Sequence, residues 1–95
     1  MPHKYWIYII TNFTNSVLYT GVTNNLARRI YEHKSGQIES AFSKKYRLYK
    51  LIWMEEFSNI EEAIAAEKKI KGWVRRKKEE LIKKTNPSYK ELEIY

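Results

Sequence analysis

The chain has 95 residues, no cysteine and a formal net charge of +7. This length suits one domain spanning 1–95, and an apolar fraction of 43% with 15% aromatic residues excludes disorder. No run nears the ~18 apolar residues of a membrane span, Met1 to Asn12 lacks the run and cleavage site of a signal peptide, and disulfides, thiolate nucleophiles and zinc–cysteine sites are ruled out, so a cytoplasmic address is expected.

In chain order, Tyr5 to Asn12 is the first strand-like run, rich in β-branched and aromatic residues. It is apolar on both alternating faces (Tyr5, Ile7, Ile9 against Trp6, Tyr8, Ile10), as for an interior strand covered on both sides. Turn-formers from Asn12 to Ser16 predict a hairpin, and Val17 to Val22 then returns antiparallel, broken at Gly21. At Gly21 the missing side chain would let a backbone approach closely. Asn24 and Asn25 can cap a helix from Asn25 to Lys34. At about 100° per residue, Leu26, Ile30 and His33 share a stripe, Arg29 flanks it and Arg28 points away. His33 reads equally well as a satisfied histidine at a helix end.

Gly36 is a helix stop, with a further helical turn around Ala41 and Phe42. Tyr46 to Phe57 predicts a third strand through Leu48, Leu51, Ile52, Trp53 and Met54. Ser58 or Asn59 caps a helix through Lys71. A last helix from Trp73 to Lys84 follows the break at Gly72, and Asn86-Pro87 ends it, with the tail packing back by Tyr89 and Leu92. The expected fold is α/β of the α+β type, a three-stranded, mainly antiparallel sheet flanked by helices.

Two features of the second half bear on chemistry. Glu67 lies amid the apolar stripe of Ile60, Ala63, Ile64 and Ile70, whereas Glu61 and Glu62 point elsewhere. An inward carboxylate costs several kcal/mol unless paired or metal-bound. A salt bridge to an arginine such as Arg29 and a metal-ligand role both satisfy it. Between Glu67 and Lys84 lie nine of the eighteen Lys and Arg, against three Glu. Lys68, Lys71, Arg75, Arg76, Lys77 and Lys78, with Trp73 interleaved, mark a phosphate-contact surface for a polyanionic partner. All eleven acidic residues are glutamates, so a two-metal carboxylate cluster is hard to build and one metal on one Glu is easier.

Taken together, these residues resemble the GIY-YIG nuclease superfamily, in particular its small stand-alone bacterial members. The family's paired motifs are similar to Trp6-Ile7-Tyr8 and Tyr19-Thr20-Gly21. The family arginine, ten residues past the second tyrosine, falls on Arg29; a histidine one turn on matches His33, and the metal-binding glutamate matches Glu67 within AAEKKIKGW. Trp6 and Thr20 depart from the pattern, but neither position supplies a reactive group. The resemblance implies a DNA endonuclease, including repair nucleases, hydrolysing phosphodiesters with one Mg²⁺ (or Mn²⁺) on Glu67. It implies that Arg29 stabilises charge on the phosphate, that Tyr19 or Tyr8 positions or deprotonates water with a pKa depressed by nearby cations, and that His33 is the next candidate for proton transfer. A non-catalytic nucleic-acid-binding domain would use the same basic surface. Membrane association is not expected.

Overall fold

A computed structural model of the chain describes residues 3–35 and 46–94. The helix stop at Gly36 and the turn around Ala41 and Phe42 lie outside these described residues. Three strands form one antiparallel sheet: β1 (Tyr5–Thr11), β2 (Leu18–Thr23) and β3 (Lys50–Phe57), in the order β2-β1-β3. Among the described residues the helices beside them are α1 (Leu26–Ser35), α2 (Ile60–Lys71) and α3 (Arg75–Thr85). This is the α+β architecture read from the sequence.

The central place of β1 accounts for its unbroken apolar character. Ile7 and Ile9 enter one core with Ile52, Trp53, Ile70 and Ile82. Tyr8 and Ile10 enter the other, with Leu26, Ile30, Leu48 and Leu51. So α1 covers one face of the sheet, while α2 and α3 cover the opposite face. A bulge lies opposite Ile9 and Ile10, where β3 advances from Trp53 to Leu51. The extra residue lets Ile52 and Trp53, adjacent in sequence, both reach the α2 side.

Local chemistry sets the boundaries. Asn25 Oδ1 accepts from the Arg28 N–H at 3.0 Å and begins α1. Asn59 Oδ1 accepts from the Glu61 and Glu62 N–H groups, capping α2. Two predicted limits shift by more than one residue. The third strand begins at Lys50, not Tyr46, because Tyr46 is helical and Arg47 takes a left-handed φ of 52°, which breaks extension. The last helix begins at Arg75, not Trp73: Val74 is extended, and Trp73 leaves the helical path to pack on the α2-side core.

The tail does pack back, Tyr89 on one core and Leu92 on the other. Asn86 anchors it, its Nδ2 donating to Ile52 O at 3.0 Å and to Lys90 O at 2.8 Å. Leu92 N donates to Leu51 O, covering part of the β3 edge. Among the described residues, no helix is long and apolar enough to cross a membrane.

Candidate active site

The site starts from the hairpin register. Tyr8 on β1 faces Gly21 on β2, so the Tyr8 side chain lies across the glycine. A Cβ at Gly21 would sit 2.4 Å from Tyr8 Oη. The group that approaches Gly21 in this structure is therefore a phenol from the same sheet, where a close-passing backbone was expected. Tyr19 lies two residues before Gly21 on the same face, and its ring centroid is 6.5 Å from that of Tyr8.

His33, in the last turn of α1, closes the group. Its ring stands edge-on to both tyrosines, at 6.1 Å from Tyr8 and 5.9 Å from Tyr19. Tyr8 Oη and His33 Nε2 are 3.4 Å apart, a long contact. Burial, with Arg29 adding to it and Glu32 opposing, lowers the His33 pKa to about 4. The Tyr8 pKa moves the other way, raised first by burial and then by Tyr19, with Arg29 countering only in part. This corrects the expectation of a cation-depressed tyrosine, as far as Tyr8 is concerned. The phenol thus keeps its proton beside an unprotonated imidazole, and the tautomer of His33 sets which of the two donates.

One turn before His33, Arg29 is half-buried, while Arg28 is exposed, as their helical angles require. Arg29 Nε lies 3.9 Å from Glu32 Oε1, beyond hydrogen-bonding range. Both atoms are buried, and neither has a hydrogen-bond partner among the described residues. Arg29 also borders an open cleft of about 270 Å³ with Tyr5, Thr23, Asn24 and Ile64. A half-buried guanidinium bordering a cleft is suited to a phosphate oxygen. Glu32 escaped the sequence reading. Its only signal there is its i,i+3 spacing from Arg29.

Glu67 is buried on α2, 8% exposed. Its partner is Lys71, not Arg29: Lys71 Nζ is 2.8 Å from Glu67 Oε1. The hydrogen bond to Glu67 raises the Lys71 pKa. The same ammonium lies 5.7 Å from the centroid of the Tyr19 ring. Because β2 is an edge strand, a residue on α2 can meet one from the α1 face around that edge. Among the described residues no three His, Asp or Glu gather as a metal cluster. Mg²⁺ fits so sparse a set, since it keeps several waters and commonly takes one or two carboxylates plus substrate phosphates.

The basic residues separate. Lys68, Arg76 and Lys77 are exposed, Lys77 standing 4.5 Å from the Trp73 ring centroid, and Lys78 is half-buried. Arg75 is committed elsewhere. Its Nη1 donates to Ser16 O at 2.7 Å, its Nη2 to Asn15 O, and its Nε to Glu79 Oε1 at 2.9 Å. It ties α3 to the hairpin turn, and Lys71 is held by Glu67.

The fold thus presents two tyrosines, an arginine, a histidine and an inward glutamate from its strands and helices. The GIY-YIG catalytic domain model matches residues 4–80, and the chain belongs to that family. It is similar to a UPF0213 protein of Limosilactobacillus reuteri, 39% identical over 80 residues, covering 83% of this chain and 82% of that protein. A UPF0213 protein of Syntrophus aciditrophicus is 34% identical over 84 residues, covering 88% of this chain and 94% of the relative. The solution NMR structure of a UPF0213 protein from Bacillus halodurans superposes with a TM-score of 0.58 at 31% identity, covering 93% of this chain and 92% of the other.

Proposed function

We propose that the chain is a DNA endonuclease that hydrolyses phosphodiester bonds with one divalent ion. The observation that carries this reading is the convergence of Tyr8, Tyr19 and His33, rings within 6.5 Å of one another, with Arg29 and the inward Glu67 close enough to act on Tyr8. Glu67 would hold Mg²⁺ (or Mn²⁺), whose chemistry when bound is to polarise the scissile phosphate and stabilise the leaving oxygen. Arg29, which borders the open cleft, donates from its guanidinium to the phosphate oxygens as negative charge builds.

Water attacks phosphorus and gives up a proton. That proton passes to Tyr8 Oη while the Tyr8 proton moves to His33 Nε2, in the tautomer that leaves Nε2 bare, along a contact that shortens from 3.4 Å as substrate binds. The leaving oxygen takes a proton from solvent. A phosphate on Arg29 offsets one of the two causes that lower His33, so substrate binding strengthens the base. Tyr19 orients the water from the adjacent strand. The exposed cations Lys68, Arg76 and Lys77 hold the rest of the backbone.

A nicking and cleavage assay on duplex, flapped, branched and single-stranded DNA, with and without Mg²⁺, tests this. Metal-dependent cleavage of at least one form is expected, and a preference for flapped or branched forms would favour a repair role. No cleavage of any form, with DNA binding intact, would refute the enzymatic reading.

A further inference from the structure

Lys71 is the one basic residue of the Glu67–Lys84 segment drawn into the tyrosine cluster among the described residues. Its Nζ sits on Glu67 Oε1 at 2.8 Å and faces the Tyr19 ring, while half of its side chain remains exposed. Lys68 and Lys69, on the same helix, are exposed. Glu67 is buried, and among the described residues no cluster of further acidic groups or histidines surrounds it, so in the free protein this ammonium balances its charge.

We infer that Lys71 occupies the cation position on Glu67 in the free protein and gives it up as a DNA backbone binds, an inference that rests on reading Glu67 as the metal ligand. A divalent ion and an ammonium repel each other at one carboxylate oxygen, so the two compete. The ammonium is a compact charge on a flexible four-carbon stem and swings away without backbone movement. An arriving phosphate offers it a new partner, and the departure of Lys71 opens Glu67 Oε1 to metal. Metal and DNA therefore help each other bind, and by linkage the help is reciprocal. Lys71 becomes a phosphate ligand in that state and positions Glu67 in the free one.

The test is a titration of the full chain with Mn²⁺ alone, followed by electron paramagnetic resonance. Wild type is compared with Lys71→Met, Lys71→Gln, Lys71→Arg and Glu67→Gln, with melting curves confirming that each is folded. Loss of a half-exposed ion pair should tighten Mn²⁺ binding about fivefold in whichever neutral variant folds, while Lys71→Arg stays near wild type. Equal or weaker Mn²⁺ binding by both neutral variants, with Glu67→Gln binding still weaker, overturns the inference and leaves the metal-ligand reading standing. Wild-type Mn²⁺ affinity in Glu67→Gln overturns the metal-ligand reading itself. Without metal, a short duplex followed by fluorescence anisotropy should bind Lys71→Met severalfold more weakly. Unchanged duplex affinity would overturn the hand-over.

Discussion

Gly21→Ala should destabilise the protein through one residue, Tyr8. In most strands that change is favourable by roughly 0.5–1 kcal/mol, because glycine loses more chain entropy on folding. Here the new methyl would sit 2.4 Å from Tyr8 Oη and 2.5 Å from Cζ, about 1 Å inside the 3.4 Å where ordinary contact begins. Tyr8 is buried and in contact with His33, so its ring moves only by repacking that cluster. Overpacking of this kind costs about 1–3 kcal/mol. Net of the strand gain, about 1–2 kcal/mol is lost, a fall in Tm of roughly 4–16 °C for a domain of this size. Circular dichroism melts of Gly21→Ala, Tyr8→Leu and the double variant form the cycle that isolates the contact. With leucine at position 8 there is room for the methyl, and Gly21→Ala should become neutral or stabilising. The same loss in both backgrounds would refute the clash as the cause.

Other consequences are equally direct. Arg29→Ala should cut cleavage by about 10² or more, as removal of a transition-state donor does, while Arg28→Ala leaves the rate nearly intact; matched losses would indicate general phosphate attraction. Thr20→Val should raise stability by about 1 kcal/mol in a denaturant titration, because the Thr20 hydroxyl is buried without a partner among the described residues. His33 is lowered to about 4 in the folded chain, so the unfolded chain binds the extra proton first. Its share of stability is therefore intact above pH ~6.5 and lost as pH falls toward 4, and His33→Gln should flatten Tm against pH across that window. Replacing Arg76 and Lys77 by Ala should reduce the salt slope of duplex binding by about 1 per contact. Arg75→Ala should instead lower Tm and leave that slope unchanged, since Arg75 holds the hairpin carbonyls.

Much of the architecture follows from one-dimensional pattern. The two-faced apolar run at Tyr5 to Ile10 requires cover on both sides, and a central strand provides it. Helical phase alone separates Arg29 from Arg28 and turns Glu67 inward, because those angles are local geometry. The caps at Asn25 and Asn59 are local too, each a side chain bonding N–H groups within three residues.

What the pattern leaves undecided depends on partners distant in sequence. The boundary at Lys50 follows from a left-handed Arg47, which no periodicity signals. Arg75 reads as one more cation until the hairpin carbonyls, 59 and 60 residues away, take its donors. Charge type is written in the sequence, but what neutralises each charge is set by packing. Glu67 is inward by phase, yet only the fold seats Lys71 on it and brings that pair around the edge of β2 to Tyr19. The direction of the Tyr8 pKa belongs to tertiary structure for the same reason: burial beneath α1 outweighs the nearby arginine, and burial is a property of the assembled core.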